Sequence, residues 1–258
     1  MAEFALSRSA PVRVAGTMIG RTLRLSRRNL DALLTSLMLP VVLMVLFVYL
    51  FGGAIRTGTT YVTYVVPGVL LLCAGYGASM TAVSVCGDMA GGIIDRFRSM
   101  DVGATAVLTG HVVASAVRNV ASTVVVFGVA FLIGFRPHAT PAKWLAATGI
   151  LLLFIVALSW FAASIGLLVS SPEAANGFTF FVMFLPYPSS AFVPVATMPS
   201  WIHGFADNQP VTQVVETLRG LLLGTPLRDH AYLAVAWSGG ILLVSVVLSG
   251  VLFRRRTR

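Results

Sequence analysis

Six long apolar runs alternate with shorter polar segments along the chain. They lie near Ala32–Phe51, Val62–Val85, Val107–Phe135, Trp144–Ser170, Asn176–Ala196 and Ala231–Phe253. A helix of about 20 apolar residues crosses the roughly 30 Å of hydrocarbon in a bilayer, and each run reaches that length. The pattern therefore predicts an all-α polytopic membrane protein with six transmembrane helices in one domain, residues 32–253.

The segment Cys86–Gly110 is the longest polar interruption in the first half of the chain. Read as a helix, it places its apolar residues on one stripe at steps of four, four and three: Met89, Ile93, Phe97 and Met100. Its polar residues take the other side: Asp95, Arg98 and Ser99. Such a segment either docks on a separate soluble protein and passes its motion to the spans, or is an ordinary solvated loop.

Residues 1–31 precede the first run and are rich in arginine. On a helix over residues 11–30, the basic side chains cluster on one face: Arg13, Arg21, Arg24, Arg27 and Arg28. Apolar residues take the opposite face, which is the pattern of a helix lying at the membrane interface. The alternative is a disordered basic tail.

The fifth run contains Pro186, Pro188 and Pro194, so its helix is expected to be kinked or to end early. An aromatic face in this run, with two serines beside it, is a candidate path for an apolar solute. Its residues are Phe178, Phe181, Phe184, Ser189 and Ser190. Lipid contact or packing is the alternative role for the phenylalanines. Ser171 is predicted to cap the helix that begins this run.

The segment Thr197–His230 is too polar to span a membrane. Asn208-Gln209-Pro210 is typical of a helix start, and Gly224 of a helix end. Between them, an apolar face that includes Val214 and Leu218 opposes a polar face. The polar residues are Thr212, Gln213, Glu216 and Arg219. The helix is expected at the outer interface, where it either roofs the exit of a path or simply packs on the spans.

Composition and charge exclude several classes of protein. Hydrophobic residues make up 57% of the chain and charged residues 10%, whereas a soluble domain carries about 25% charged residues. The net charge of +9 is not a basic patch interleaved with aromatic residues, so no nucleic-acid partner is predicted. Cys73 and Cys86 are expected to be buried apolar residues, and the scattered histidines indicate no metal site.

The distribution of Lys and Arg predicts the orientation. Twelve lie on the side shared by the two termini, including the tail of residues 254–258, and five on the other side. The positive-inside rule then places both termini in the cytoplasm. Arg118 falls inside the third run, where it either snorkels or pairs structurally near the inner interface, or belongs to a transport path.

Missing chemistry narrows the function further. Lys143 is the single lysine, and no glycine-rich run leads into it, so the chain is not its own ATPase. The predicted spans hold no internal carboxylate, which disfavours coupling to protons or sodium. Gly77-Ala78-Ser79 lacks a base at matching depth, which disfavours an intramembrane protease.

Several stretches taken together resemble a known family. They are RRNLDALLTSLMLPVVLMVLFVYLFGGAI (27–55), YVVPGVLL (64–71), GDMAGGIIDRFRSM (87–100), AVLTGHVVASAVRN (106–119), GFRPH (134–138), ALSW (157–160), SSAFVPVATMPSW (189–201) and NQPVTQVVETLRGLLLG (208–224). In order over nearly the whole chain, they resemble the membrane subunit of type-2 ABC exporters, specifically the daunorubicin/doxorubicin-resistance-like permeases of actinobacteria.

The resemblance implies six spans, a second permease copy or paralogue, and two ATPase subunits that bind ATP and magnesium on the cytoplasmic face. It implies a coupling helix that docks on the ATPase, with Gly91, Gly92, Asp95, Arg96, Arg98 and Ser99; Phe97 of the apolar stripe is assigned to the same surface. It matches Arg118 to a recurrent arginine of span three. It matches the outer helix before span six through Asn208, Pro210, Thr212, Arg219 and Gly224. Met100-Asp101 and His111 depart from the family pattern.

The sequence therefore predicts a non-catalytic permease subunit, multi-pass in the bacterial plasma membrane, with no cofactor of its own. A separate ATPase would drive export of a hydrophobic or amphipathic small molecule. The alternatives are the same architecture exporting a lipid or polysaccharide, a passive scaffold subunit with transport carried by a paralogue, and an intramembrane enzyme.

Overall fold

The computed structural model describes residues 30–55, 57–91 and 104–256. Within those ranges every regular element is helical. In chain order the elements are α1 (Leu30–Leu46), a π-helical turn (Phe47–Phe51), α2 (Tyr61–Ala90), α3 (Ala104–Ile133), α4 (Pro141–Leu168), α5 (Pro172–Phe184), a 3-10 turn (Val195–Thr197), α6 (Ser200–Asn208), α7 (Pro210–Leu223) and α8 (His230–Arg256). The predicted interfacial helix of residues 11–30 lies outside the described residues up to Leu30.

Four helices of the described chain are long and apolar enough to cross a membrane: Tyr61–Ala90, Val107–Ile133, Pro141–Leu168 and His230–Arg255. At about 1.5 Å per residue each is about 40 Å long or slightly more, which exceeds the hydrocarbon thickness. They coincide with the second, third, fourth and sixth predicted runs. The prediction of a polytopic all-helical protein is therefore confirmed for these four runs.

The first predicted run forms a helix with a change of winding at its end. Helix α1 contains a buried Pro40 and continues into the π-helical turn Phe47–Phe51. Phe47 in that turn stacks on Phe192 with 4.6 Å between the ring centroids. The wider π-helical turn thus lies where the helix meets a distant segment of the chain.

The fifth predicted run is not one helix. Helix α5 ends at Phe184 after 13 residues, and turns follow from Leu185 to Phe192. The expected early end is confirmed, because Pro186 and Pro188 cannot donate to a helical ladder. The predicted boundaries Asn176–Ala196 are wrong for a continuous helix, since 13 residues rise only about 20 Å.

Helices α2 and α4 form the centre of the bundle. Of the most apolar stretch of α2, 72% is buried, against 17% of that in α8. Helix α2 packs against α1, α3, α4, α5 and α7, and α8 packs chiefly against α4. The close contact of α2 with α4 uses Gly166, where an added Cβ would lie 2.5 Å from the Ala82 carbonyl oxygen. Cys73 and Cys86 are buried in this core and are not joined by a disulfide, as predicted.

The bundle has two chemically distinct ends. At one end, which we call the α7 end, α7 packs against α2 near Tyr64, α6 packs against α7, and the His138 amide donates to the Leu222 carbonyl. At the other, the Arg256 end, Val85, Leu108, Leu167 and Phe253 form a small second core. Helix α2 ends and helix α3 begins at the Arg256 end.

Candidate functional site

Helix α7 is buried on both of its faces. Pro210 occupies its first turn, and Gly224 ends it with a left-handed φ of 80°, as the sequence predicts. The apolar face packs against α2, α4 and α8. The polar face points into the protein as well, because Thr212, Gln213 and Arg219 are all at most 5% exposed. The partners of these polar groups therefore define the site.

Arg219 holds three parts of the chain together. Its Nη2 donates to the Tyr64 carbonyl oxygen at 3.0 Å and to the Ser190 carbonyl oxygen at 3.1 Å. Its Nη1 pairs with Glu216 Oε1 at 2.5 Å. The guanidinium also lies over the Tyr64 ring, 3.7 Å from the centroid. A planar guanidinium suits this position because it can stack and donate in its own plane at once.

Further hydrogen bonds join α2, α7 and Gln209 to the turns between α5 and α6. Tyr64 Oη donates to the Ser190 carbonyl at 2.9 Å, and Tyr61 Oη to the Phe192 carbonyl at 3.0 Å. The Ser190 amide donates to Thr212 Oγ1 at 3.3 Å. Gln209 Nε2 donates to the Pro188 carbonyl.

These contacts explain why the polar face of α7 points inward. Non-helical backbone inside a membrane protein is tolerated only where other protein groups or water satisfy it. The prolines remove amide donors and leave carbonyl oxygens without helical partners. Side chains of α2 and α7, together with Gln209, donate to the carbonyls of Pro188, Ser190 and Phe192 in these turns. We call Tyr64, Ser190, Thr212, Glu216 and Arg219 the Arg219 cluster.

The structure separates the residues predicted to line a path. Ser189 and Ser190 are buried beneath α7. Phe181 and Phe184 are about two-thirds exposed on the surface of α5, as is the neighbouring Phe180. Phe178 packs edge-on against Phe161, with 5.7 Å between the ring centroids. Phe181 and Phe184 therefore face outward within this single chain, while Ser189 and Ser190 lie inside it, Ser190 as part of the Arg219 cluster.

A polar contact joins α2 to α3 next to the predicted coupling segment. His111 Nε2 lies 3.1 Å from Asp88 Oδ2, and His111 Nδ1 lies 3.4 Å from Ser84 Oγ. Asp88 belongs to the last turn of α2 and His111 to the second turn of α3. The pair thus ties together the two helices from which residues 91–103 emerge. Sequence reasoning noted His111 only as a departure from the family pattern.

The predicted coupling residues Gly92, Asp95, Arg96, Phe97, Arg98 and Ser99 lie outside the described residues. Gly91 is described and ends α2, where its amide donates to the Gly87 carbonyl. The role of the coupling residues in docking on an ATPase stays a prediction.

Arg118 is the fifteenth of 30 residues in α3 and is half-buried. It therefore lies near the middle of that helix, and the choice between its proposed roles stays open.

Asn208, the remaining residue assigned to the outer helix, ends α6 instead, where its Nδ2 donates to the Gly204 carbonyl at 2.8 Å.

Hydroxyl groups link α2, α3 and α4 near the middle of the bundle. Ser159 Oγ donates to Ser115 Oγ at 2.9 Å, and Ser115 Oγ donates to the Gly77 carbonyl at 3.2 Å. Asn119 Nδ2 also approaches Ser115 Oγ at 3.4 Å. The small residues allow close helix packing, and their hydrogen bonds replace contacts that water would supply in a soluble protein. No sequence pattern signals which serines meet.

The start of α5 is capped as predicted. Ser171 Oγ accepts from the Ala174 amide at 3.3 Å. The adjacent Glu173 is exposed, and hydrogen bonds from its own backbone amide and then from Ser171 hold the pKa of its carboxyl below the usual range. The positive N-terminal end of the helix stabilises an anionic carboxylate at this position.

The sequence matches a known protein family over most of its length. The profile of the ABC-2 type transporter family matches residues 14–223. The matched region takes in α1 to α7, including the whole Arg219 cluster and the Asp88–His111 pair.

Two curated relatives align over most of the chain. A daunorubicin resistance ABC transporter permease protein, DrrB1, from Streptomyces coeruleorubidus is 28% identical over 87% of this chain and 80% of its own length. A probable doxorubicin resistance ABC transporter permease protein, DrrC, from Mycobacterium tuberculosis is 23% identical over 94% of this chain and 89% of its own length.

Proposed function

Because this chain belongs to the ABC-2 type transporter family, we propose that it is the permease of an ATP-driven exporter for a hydrophobic or amphipathic small molecule. The family match over residues 14–223 carries the proposal, since it covers α1 to α7 of the described part of the chain. The names of the relatives, which are drug-resistance permeases, support a drug-like cargo.

The energy for export would come from a separate ATPase that binds ATP and magnesium. Lys143 is the single lysine of the chain, and it is exposed in the first turn of α4. No glycine-rich loop precedes it, so it has no phosphate-binding environment. We assign no catalytic step to this chain.

Six spans and a cytoplasmic Arg256 end complete the proposed topology. The first span would be Leu30–Phe51, and the fifth would combine α5 with the turns up to Phe192. These turns lie inside the bundle with their carbonyls bonded by α2 and α7, which is compatible with a position at membrane depth. The excess of arginine at the termini and between α2 and α3 supports the orientation.

Helix α2 would transmit the motion of the ATPase. It is unbroken over 30 residues, from the Arg219 cluster to Gly91 at the edge of the coupling segment. The Asp88–His111 pair makes α2 and α3 move together at that edge. A displacement at residues 91–103 would therefore reach Tyr64, and through Arg219 the turns and α7, about 40 Å away.

A second permease copy or a paralogue would complete the path. Exposed apolar side chains suited to such a contact or to lipid include Phe181 and Phe184 on α5 and Tyr49 and Leu50 after α1. The same architecture with a lipid or polysaccharide cargo is the second candidate. Phenylalanines on α5 favour an apolar cargo, because sugar-binding surfaces need tyrosine and tryptophan.

The test is transport by the chain reconstituted with its ATPase. Inverted vesicles should accumulate a fluorescent hydrophobic drug only when ATP and both proteins are present. Asp95→Arg and Arg98→Asp should abolish uptake while ATP hydrolysis continues. Arg255→Asp, a charge reversal at an exposed position of the same end, is the control and should leave uptake intact. Uptake driven by the permease alone would refute the proposal.

A further inference from the structure

A cavity of about 230 Å³ opens at the α7 end between α2, α3, α4 and α7. Its walls include Leu70, Val124, Phe127, Leu151, Leu218 and Leu222. It lies away from the outward phenylalanines of α5 and from the Asp88–His111 pair. Neither Tyr64 nor Arg219 lines it.

The residues that line the cavity favour an apolar ligand. Apart from the hydroxyls of Thr123 and Thr148 and the indole of Trp144, the described residues of its walls are apolar, and none is charged. A sugar or an ion would lose its hydration here without gaining partners. A cavity of about 150 Å³ in a protein core accepts a benzene molecule, so this one admits a segment of acyl chain.

The cavity is continuous with the surface that faces the bilayer. Val120 and Val124 on α3 are 41% and 65% exposed, and both also line the cavity. Where this face of α3 meets the bilayer, lipid chains would cover the mouth. Removal from water does not drive a chain inward, because the chain is already in hydrocarbon. Dispersion attraction drives the chain inward instead, because the side chains that line an empty cavity lack partner atoms and the acyl chain supplies them.

We propose that this cleft binds one acyl chain of a phospholipid from the leaflet at the α7 end. The chain contacts Leu218 and Leu222 directly, next to Arg219 on α7. It thereby fills the space behind α7 and stabilises the helix in the position that the Arg219 cluster requires. This inference rests on residence in the bilayer and not on ATP-driven export, so either one can fail without the other.

The experiment uses photo-crosslinking with the complete transporter in nanodiscs. The probe is a phosphatidylcholine that carries a diazirine near the end of one acyl chain. Irradiation and peptide mapping should place adducts on residues 120–127 and 144–155 above the level found on the exposed α8 residues Leu243 and Val247. The α8 level measures ordinary surface lipid.

Two variants make the outcome decisive. Thr148→Trp places a large ring at the mouth and should reduce labelling of the cleft to the α8 level. Leu145→Trp, on an exposed residue of α4 outside the cleft, should leave labelling unchanged. Equal labelling of cleft and α8 in the wild type, or no loss in Thr148→Trp, would overturn the proposal. Loss of cleft labelling on addition of rhodamine 6G would assign the cleft to exported solutes and would also overturn it.

Discussion

Arg219 contacts Tyr64 in two ways at once. Its guanidinium lies 3.7 Å from the centre of the Tyr64 ring and donates to the Tyr64 backbone carbonyl at 3.0 Å. The two residues are 155 positions apart in the chain. Through Ser190 the same guanidinium also holds the turns that follow α5. The contact therefore joins α2, α7 and an irregular segment into one unit.

Loss of the Arg219 side chain should destabilise the protein strongly. Removing one partner of a buried ion pair costs about 3–5 kcal/mol, and Arg219→Ala would also remove the hydrogen bonds that Arg219 donates to the Tyr64 and Ser190 carbonyls. Arg219→Lys should cost less, since it keeps the charge but loses the planar contacts. Thermal unfolding of the purified protein measures both. Arg228→Ala, at an exposed position, should leave the midpoint unchanged; an equal midpoint for Arg219→Ala would contradict the assignment.

A methyl group at Gly68 should displace the turns from α2. The added Cβ would lie 2.7 Å from the Ala191 carbonyl oxygen and 2.8 Å from its Cβ. Overpacking of this kind costs about 1–3 kcal/mol. The matched control is Gly149→Ala in α4, where nothing lies within 4 Å and a helix gains propensity. Gly68→Ala should lower the unfolding midpoint and Gly149→Ala should not. The same unfolding midpoint for both variants would show that Gly68 and Ala191 are farther apart than described.

The Asp88–His111 pair should matter for coupling more than for folding. Asp88→Leu or His111→Leu removes the contact between the two helices beside residues 91–103, so ATP hydrolysis should continue while uptake into vesicles falls. The exchanged double variant, Asp88→His with His111→Asp, should recover part of the uptake because it restores the pair. Both activities are measured on the same reconstituted preparation. Parallel loss of hydrolysis and uptake in the single variants would point to a structural role alone.

The orientation can be tested with single cysteines. Cys73 and Cys86 are buried, so a background with both replaced by alanine gives little label of its own. In intact cells, a membrane-impermeant maleimide should label Arg228→Cys at the α7 end and spare Arg255→Cys. Permeabilised cells should show label on both, which confirms that both are reactive. The reverse pattern in intact cells would place the Arg256 end outside.

Local chemistry explains which predictions were confirmed. Pro186 and Pro188 lack amide donors, so an early end to α5 follows from the residues themselves. Ser171 can satisfy the first amides of a helix, and Gly224 can adopt a positive φ at low cost. Each of these effects depends on neighbours a few residues away. The sequence pattern therefore places these helix ends well.

The amphipathic pattern of α7 does not show in which direction its polar face points. A polar face on a surface helix normally meets water, and the sequence contains no sign that carbonyls near Ser190 need donors from that face. The Asp88–His111 pair and the contact of Ser115 with Ser159 were missed for the same reason. Their partners are 23 and 44 positions apart.

From the sequence alone, the apolar runs, the arginine distribution and the family motifs indicate a helical membrane permease, because span length and charge bias depend only on composition along the chain. Only the tertiary structure decided that α7 turns its polar face inward, that the phenylalanines of α5 face away from the serines, and that α3 and α4 enclose an apolar cleft. These features depend on which helices pack together, and buried polar groups are stable only where that packing supplies their partners.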